Sequence, residues 1–262
     1  MPGRIVVLVL FLFLAVPALA AARPPAEPPA TAARLFIPHI SRDYCGAFFD
    51  DFSAATGWFT GQREGLLAEL SGGEYRLLVI EPGHVWMVGA PDCARRTDRA
   101  EVDARWVGRP GNFYGLLFDI DGPLDQSYLL AVSSEAGVWL VFRLTPTSMT
   151  TVIEPAAHDA IRPGGETNRL AVARNNGRLL FAINGVTVGE LADNAPGRPV
   201  AAGLVAASLV TYSPADARFD NFAHQGLTGG AGQGAKCGTG FLSCGMAGEE
   251  GVAGGAWRVA IE

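Results

Sequence analysis

Glu101-Val-Asp-Ala-Arg105 is the segment whose residue types and spacing come closest to chemistry. Alternate residues of an extended strand project to one face, so Glu101, Asp103 and Arg105 form a row, with Val102, Ala104 and Trp106 behind it. Two carboxylates in such a row are the raw material of acid-base hydrolysis, whose retaining form needs a nucleophile and an acid about 5 to 5.5 Å apart. The third member is a guanidinium, which stays charged at any relevant pH and cannot serve as the acid. The row is therefore expected not to cleave by that route, but to offer hydrogen bonds to a polar ligand. A solvated strand face whose opposite charges pair weakly is the alternative reading of the same residues.

A second strand, Gly137-Val-Trp-Leu-Val-Phe-Arg-Leu144, is expected to send Val138, Leu140, Phe142 and Leu144 to the core. Trp139 and Arg143 then lie on the opposite face, offering a stacking surface and a cation to the same ligand, with Asp119 and Tyr128 joining them. Trp58, Trp86 and Trp106 are read as packing residues, given the area an indole buries. The sequence holds no G-x-S-x-G, H-E-x-x-H or G-x-x-x-x-G-K-[ST] motif, so no cofactor is required by anything visible in it.

These residues must be held by strands. Between residues 43 and 225 short β-prone runs are punctuated by Gly, Asn, Asp and Pro every eight to twelve residues, the spacing of an all-β sandwich of two antiparallel sheets. Leu170 to Arg174, Arg178 to Ile183 and Val186 to Leu191 read as a meander. Its second turn, Asn184-Gly185, supplies the two positive-φ positions of a type I′ hairpin. Ala156 to Ile161 is the one stretch that suggests a helical turn, stopped by Pro163.

The flanks differ in composition. Arg4, the apolar run Ile5 to Val16, Pro17 and the small residues Ala18 to Ala22 have the order of a cleaved secretory signal over residues 1–22. Residues 23–42 read as a Pro-rich spacer and lead-in, and 226–262 as a Gly-rich, mostly disordered tail. Export predicts a secreted, extracellular or cell-surface protein, with no later segment apolar enough to span a bilayer. In that compartment Cys45, Cys93, Cys237 and Cys244 are expected to form disulfides. Three pairings are open, of which a local Cys237–Cys244 loop with Cys45–Cys93 as the second bridge is the easiest to close. Zinc is disfavoured, because there is no C-x-x-C and none of His39, His84, His158 or His224 has ligand spacing from a cysteine. The net charge of −6, without basic clusters, excludes nucleic acid as a partner class.

The ordered blocks Asp50-Asp-Phe-Ser53 with Gly57-Trp58, Gly73-Glu-Tyr-Arg76, Glu101-Val-Asp-Ala-Arg105, Tyr114-Gly-Leu-Leu-Phe118, Thr167-Asn-Arg-Leu170, Ile183-Asn-Gly185 and Phe219-Asp-Asn-Phe222 resemble the concanavalin A-like jelly roll. Laminin G-like modules and 3-keto-disaccharide hydrolase-like domains are the nearest shapes. The resemblance spans residues 47–223 and implies that the first and last strands lie side by side. It further implies glycan binding on a sheet face or rim, and a structural Ca²⁺ near the termini, for which Asp51 and Asp220 are the visible ligands. The family-16 glycoside hydrolases of this fold carry Glu-x-Asp-x-Glu, and Arg105 breaks that pattern at its third position. The sequence thus points to a secreted, non-catalytic module for a glycan or another surface ligand. A hydrolase of the 3-keto type and a purely structural cell-surface domain are the rivals, and the oligomeric state stays open.

Overall fold

A computed structural model of the chain describes residues 47–91, 98–108, 112–120, 127–145, 148–192, 201–208, 214–225 and 256–260. The expected signal and spacer, all four cysteines and residues 226–255 lie outside these residues. Every regular element among them is a strand: β1 (Ala47–Asp50), β2 (Gly61–Arg63), β3 (Leu66–Ser71), β4 (Glu74–Val79), β5 (His84–Gly89), β6 (Arg99–Trp106), β7 (Phe113–Ile120), β8 (Ser127–Ser133), β9 (Val138–Thr145), β10 (Ser148–Ala157), β11 (Asn168–Asn175), β12 (Arg178–Ile183), β13 (Val186–Ala192), β14 (Ala201–Ser208), β15 (Ala215–Gln225) and β16 (Ala256–Ala260). No helix of the described residues is long and apolar enough to cross a membrane.

The strands form two antiparallel sheets packed face to face, the jelly-roll sandwich expected from the sequence. The larger runs β13-β12-β11-β6-β15-β4-β3-β2, with β1 on β15 beyond the end of β4, and the smaller runs β10-β9-β8-β7-β14-β5-β16. Between them lies a core to which both contribute: Tyr75, Val102, Trp106, Phe181 and Phe219 from the larger, Leu116, Phe118, Leu130 and Leu204 from the smaller. The alternation read in β6 holds, with Val102, Ala104 and Trp106 turned inward. The first and last strands of the domain are neighbours, Phe48 opposite His224 and Asp50 opposite Phe222. The hairpin between β12 and β13 turns on Asn184 and Gly185, at φ of 51° and 83°.

Asp50 anchors the corner after β1. Its buried carboxylate accepts hydrogen bonds from the Phe52 amide (2.8 Å), the Trp58 indole (2.8 Å) and the Thr56 hydroxyl. Trp58 packs edge-on against Phe222 and beside Tyr75, so this short loop closes the end of the core.

Two expectations need correction. β9 is turned over: Trp139 and Val141 face the inter-sheet core, while Leu140 and Leu144 face away from it. A strand that is apolar on both sides gives no sign of which side is inner, and here the opposite sheet decides. Gly189 on β13 leaves the space the indole fills, since a Cβ there would lie 2.3 Å from Trp139 Cη2. Ala156 and Ala157 finish β10, and the residues that follow close a turn through the Ile161 amide to the His158 carbonyl rather than a helix. Within the stretch read as a mostly disordered tail, the described residues 256–260 form β16, which pairs with β5 from Ala256↔Val88 to Ala260↔His84. Ala-Trp-Arg-Val-Ala is a β-prone island in a Gly-rich stretch, and it finds an open sheet edge.

The smaller sheet is apolar on its far face as well. Val85, Met87, Leu117, Leu129, Leu140 and Val205 form a second buried cluster, separate from the main core. A cavity of about 20 Å³ in this layer is lined by apolar side chains including Phe113, Phe142 and Met149. Its size admits roughly one water, which would find too few hydrogen-bond partners there to stay.

Candidate functional site

The outer face of the larger sheet carries the polar groups. Antiparallel register puts directly opposed residues on one face. Asp220 of β15 therefore stands beside Asp103 of β6, Arg218 beside Arg105, and Ala223 beside Glu101. On the far side of β6, Arg169 of β11 faces Asp103. Across β15, Arg76 of β4 faces Arg218. The result is a field of charged side chains over five adjacent strands, from Glu69 on β3 to Arg169 on β11.

Its charges are paired. Arg105 forms a fork with Glu74, Nε to Oε1 at 2.7 Å and Nη2 to Oε2 at 2.6 Å. Arg76 donates to Asp216 through Nε and Nη2 and to Glu69 through Nη1, and Arg218 Nε donates to the same Asp216 at 3.0 Å. Glu101 is sunk beneath two guanidiniums, accepting from Arg169 at 2.6 Å and Arg99 at 2.8 Å. Burial works to raise the Glu101 pKa, yet the hydrogen bonds from Arg169 and Arg99 outweigh it and hold the carboxyl below its ordinary range. Glu101 is thus a fixed carboxylate, unsuited to donate a proton.

Asp220 is the exception. Burial first, and then the nearby charges of Asp103, Glu74 and Asp51, push its pKa up, only partly offset by the Asn221 amide that hydrogen-bonds it at 2.7 Å. The strand bulges just past it, between Asp220 and Ala223, with Asn221 at a φ of 51° and its side-chain amide donating to Asp103 at 3.1 Å. Asp51 spends one carboxylate oxygen on the Ser53 amide and hydroxyl. Among the described residues no three His, Cys, Asp or Glu side chains converge as a metal set. The pair expected to share a Ca²⁺, Asp51 and Asp220, therefore has no third such ligand among them.

The seven residues expected to contact a ligand do not converge. Glu101, Asp103 and Arg105 share the outer face of the larger sheet. Trp139, Tyr128 and Asp119 belong to the smaller sheet and are buried, at 3%, 5% and 2% exposure. Trp139 and Tyr128 are core residues. Asp119 is bound by Arg174 of β11, Nη2 donating to both carboxylate oxygens at 2.9 and 2.6 Å, a tie between the two sheets. Arg143 is exposed near the end of β9, on the smaller sheet opposite Tyr128.

The aromatic surface on the polar face is one the sequence reading passed over. Phe48 and Phe49 are adjacent in β1, so one of them must point outward. Phe48 packs on Phe222 and His224, and Phe49 stands out, 44% exposed, directly opposite Ala223. Ala223 in turn faces Glu101, and beyond it Ala171 continues the row. The face therefore has a ring at one side, Ala223 next to it, and then Glu101 with Arg99 and Arg169, with Ala171 beyond.

No family model matches the sequence, and no curated protein matches it. Solved structures do. A carbohydrate-binding module from Bacillus subtilis is similar at 16% identity and a TM-score of 0.47, over 65% of this chain and 96% of that one. A β-glucanase of Bacillus licheniformis is similar at 13% identity and a TM-score of 0.47, over 70% and 99%. The catalytic domain of an endo-1,3-β-glucanase (laminarinase) from Thermotoga petrophila is similar at 8% identity and a TM-score of 0.46, over 63% and 81%. These neighbours include both a binding module and glycoside hydrolases.

Proposed function

We propose that this protein is an exported, non-catalytic module that binds a glycan on the outer face of its larger sheet. The observation that carries the reading is the row Phe49, Ala223, Glu101 with Arg99 and Arg169. An exposed ring offers a stacking surface for the apolar face of a sugar, and held charges beside it offer hydrogen bonds to hydroxyls. Asp103 and Arg105 extend the polar side of the same face. The charged side chains are already held by partners, so they lose little rotamer freedom on binding. Against turnover stands the lack of an acid in the row: Glu101 is held below its ordinary range, and the third position is a guanidinium.

A hydrolytic reading has one observation in its favour. Burial pushes the Asp220 carboxyl above its ordinary range, and a carboxyl raised in this way is the kind that can act as an acid. One experiment separates the two. The mature protein is screened against neutral polysaccharides by affinity electrophoresis, with reducing-sugar release followed in parallel, for wild type, Phe49→Ala, Glu101→Ala/Asp103→Ala and Asp220→Asn. Retardation by a polysaccharide, lost in the first two variants and without sugar release, supports binding alone. Sugar release abolished by Asp220→Asn replaces it with catalysis, and no retardation by any polysaccharide refutes the glycan reading.

A further inference from the structure

The sequence holds two Asn-Gly pairs, Asn176-Gly177 and Asn184-Gly185, and the fold uses them alike. Each forms the two-residue turn of a hairpin, the first closing β11 on β12 at Asn175↔Arg178 and the second closing β12 on β13 at Ile183↔Val186. Both take the positive φ angles of a type I′ turn, 49° and 73° in the first, 51° and 83° in the second. Around each glycine the space is open, with no atom beyond its chain neighbours within 4 Å of where a Cβ would stand. Dipeptide, turn and glycine are therefore matched, and only the asparagine side chains differ.

Asn184 is tied down. Its Oδ1 accepts from the Arg169 amide at 2.8 Å, and its Nδ2 donates to the Ala160 carbonyl at 2.7 Å and to Oδ1 of the fully buried Asn168 at 2.8 Å. Asn176 is exposed, and among the described residues its side chain has no hydrogen bond. We propose that Asn176 is a site of spontaneous deamidation in the folded protein, while Asn184, with the same neighbour in the same turn, is protected. In this reaction the Gly177 backbone nitrogen attacks Asn176 Cγ and gives up its proton. The bond from Cγ to Nδ2 breaks, and ammonia leaves carrying that proton. Water then opens the cyclic imide at either carbonyl, leaving aspartate or isoaspartate with no change of oxidation state. The attack needs Cγ brought against the nitrogen, and an untethered side chain can rotate there. Asn184 must first release its three side-chain hydrogen bonds. Aspartate keeps the turn, because it also tolerates a positive φ. Isoaspartate adds a main-chain carbon to a two-residue turn, and the strand this disturbs, β11, carries both Arg169 and Arg174.

The test uses the full chain, incubated in mildly alkaline buffer, either folded or in concentrated urea, and sampled over time by peptide mapping with mass spectrometry. An isoaspartyl methyltransferase with a labelled methyl donor counts the iso product, and Asn176→Asp supplies the chromatographic standard for the other. The expected result is deamidation at Asn176 at least about tenfold faster than at Asn184 in the folded protein, the effect on a barrier of releasing several hydrogen bonds that are each weak. In urea the two rates should draw together, since the dipeptides are the same. Equal rates in the folded protein, faster loss at Asn184, or no deamidation of Asn176 overturns the inference. So does a ratio that persists unchanged in urea, which would trace the difference to flanking sequence instead of to the fold.

Discussion

Replacing Arg174 by methionine removes one half of the ion pair that ties the two sheets. The guanidinium and the Asp119 carboxylate are 6% and 3% exposed, and the guanidinium carbon also lies 5.5 Å from the centre of the Phe118 ring. Methionine fills a similar volume but leaves the carboxylate without this cation in an apolar setting. Breaking a buried pair from one side costs about 3–5 kcal/mol, because the surviving charge has lost its compensation. For a domain of this size 1 kcal/mol moves the melting temperature by about 2–4 °C, so Arg174→Met should lower it by roughly 6–20 °C. Asp119 sits at a φ of 60°, a conformation asparagine tolerates, so Asp119→Asn removes the charge without new backbone strain. The double variant Arg174→Met/Asp119→Asn removes both charges of this pair and should recover most of the loss, to within about 1–2 kcal/mol of wild type. Scanning fluorimetry and urea unfolding of the four proteins give the cycle, with glycan retardation run alongside. A shift under about 3 °C for Arg174→Met, or a double variant as costly as the sum of the singles, refutes the reasoning. An Asp119→Asn protein with unchanged melting but lost retardation would return Asp119 to the ligand site.

Two further outcomes depend on pH. Asp220 has a raised pKa in the folded state, so its contribution is favourable while protonated and is lost as pH rises through the folded value. Asp220→Asn should therefore stabilise the protein at neutral pH by about 0.2–1 kcal/mol, the scale of a like-charge cross-strand pair, and the gain should vanish in acid. Destabilisation instead, seen with Ca²⁺ present and abolished by chelation, would show that the carboxylate holds a cation. His224 is buried between Phe48 and Phe222, and burial lowers its pKa to about 4. The unfolded chain takes up this proton near the ordinary histidine value of about 6.5 while the folded chain resists it, so stability falls as pH drops through that window. His224→Phe should flatten the melting temperature between those limits, and an unchanged slope counts against burial as its cause.

The fold was legible where the two faces of a strand differ. β6 announces itself because Glu, Asp and Arg cannot share a face with the core, and Asn184-Gly185 because few other pairs accept two positive φ angles. Phe219-Asp-Asn-Phe222 was readable as the partner of the first strand only through family resemblance, since nothing local in it states a long-range pairing. β9 failed for the opposite reason to β6. With apolar residues at nearly every position from Val138 to Leu144, alternation has no sign, and the deciding feature, Gly189, lies fifty residues away on the other sheet. β16 was hidden because five β-prone residues among glycines carry too little propensity to outweigh chain entropy until an edge is supplied.

The candidate site divides along the same line. Glu101, Asp103 and Arg105 were found because a single strand presents them together. Their partners Glu74, Arg169 and Asn221 come from three other strands, and only register brings them near. That register changes the chemistry. Read alone, Glu101 and Asp103 look like two free carboxylates awaiting a substrate. Beneath Arg99 and Arg169 the first becomes a fixed anion, while the excess negative charge gathers at the Asp103–Asp220 bulge instead. A ligand laid across Phe49 and Ala223 thus meets charges whose strongest bonds are already made, and neutral hydroxyls can join those bonds where a second anion would have to displace a carboxylate from its guanidinium. Adding sodium chloride should for that reason weaken retardation by a neutral polysaccharide very little, because no counterions are released on binding. A steep salt dependence would mean that the arginines exchange partners for an acidic ligand, and that the pairing seen on this face is only its resting state.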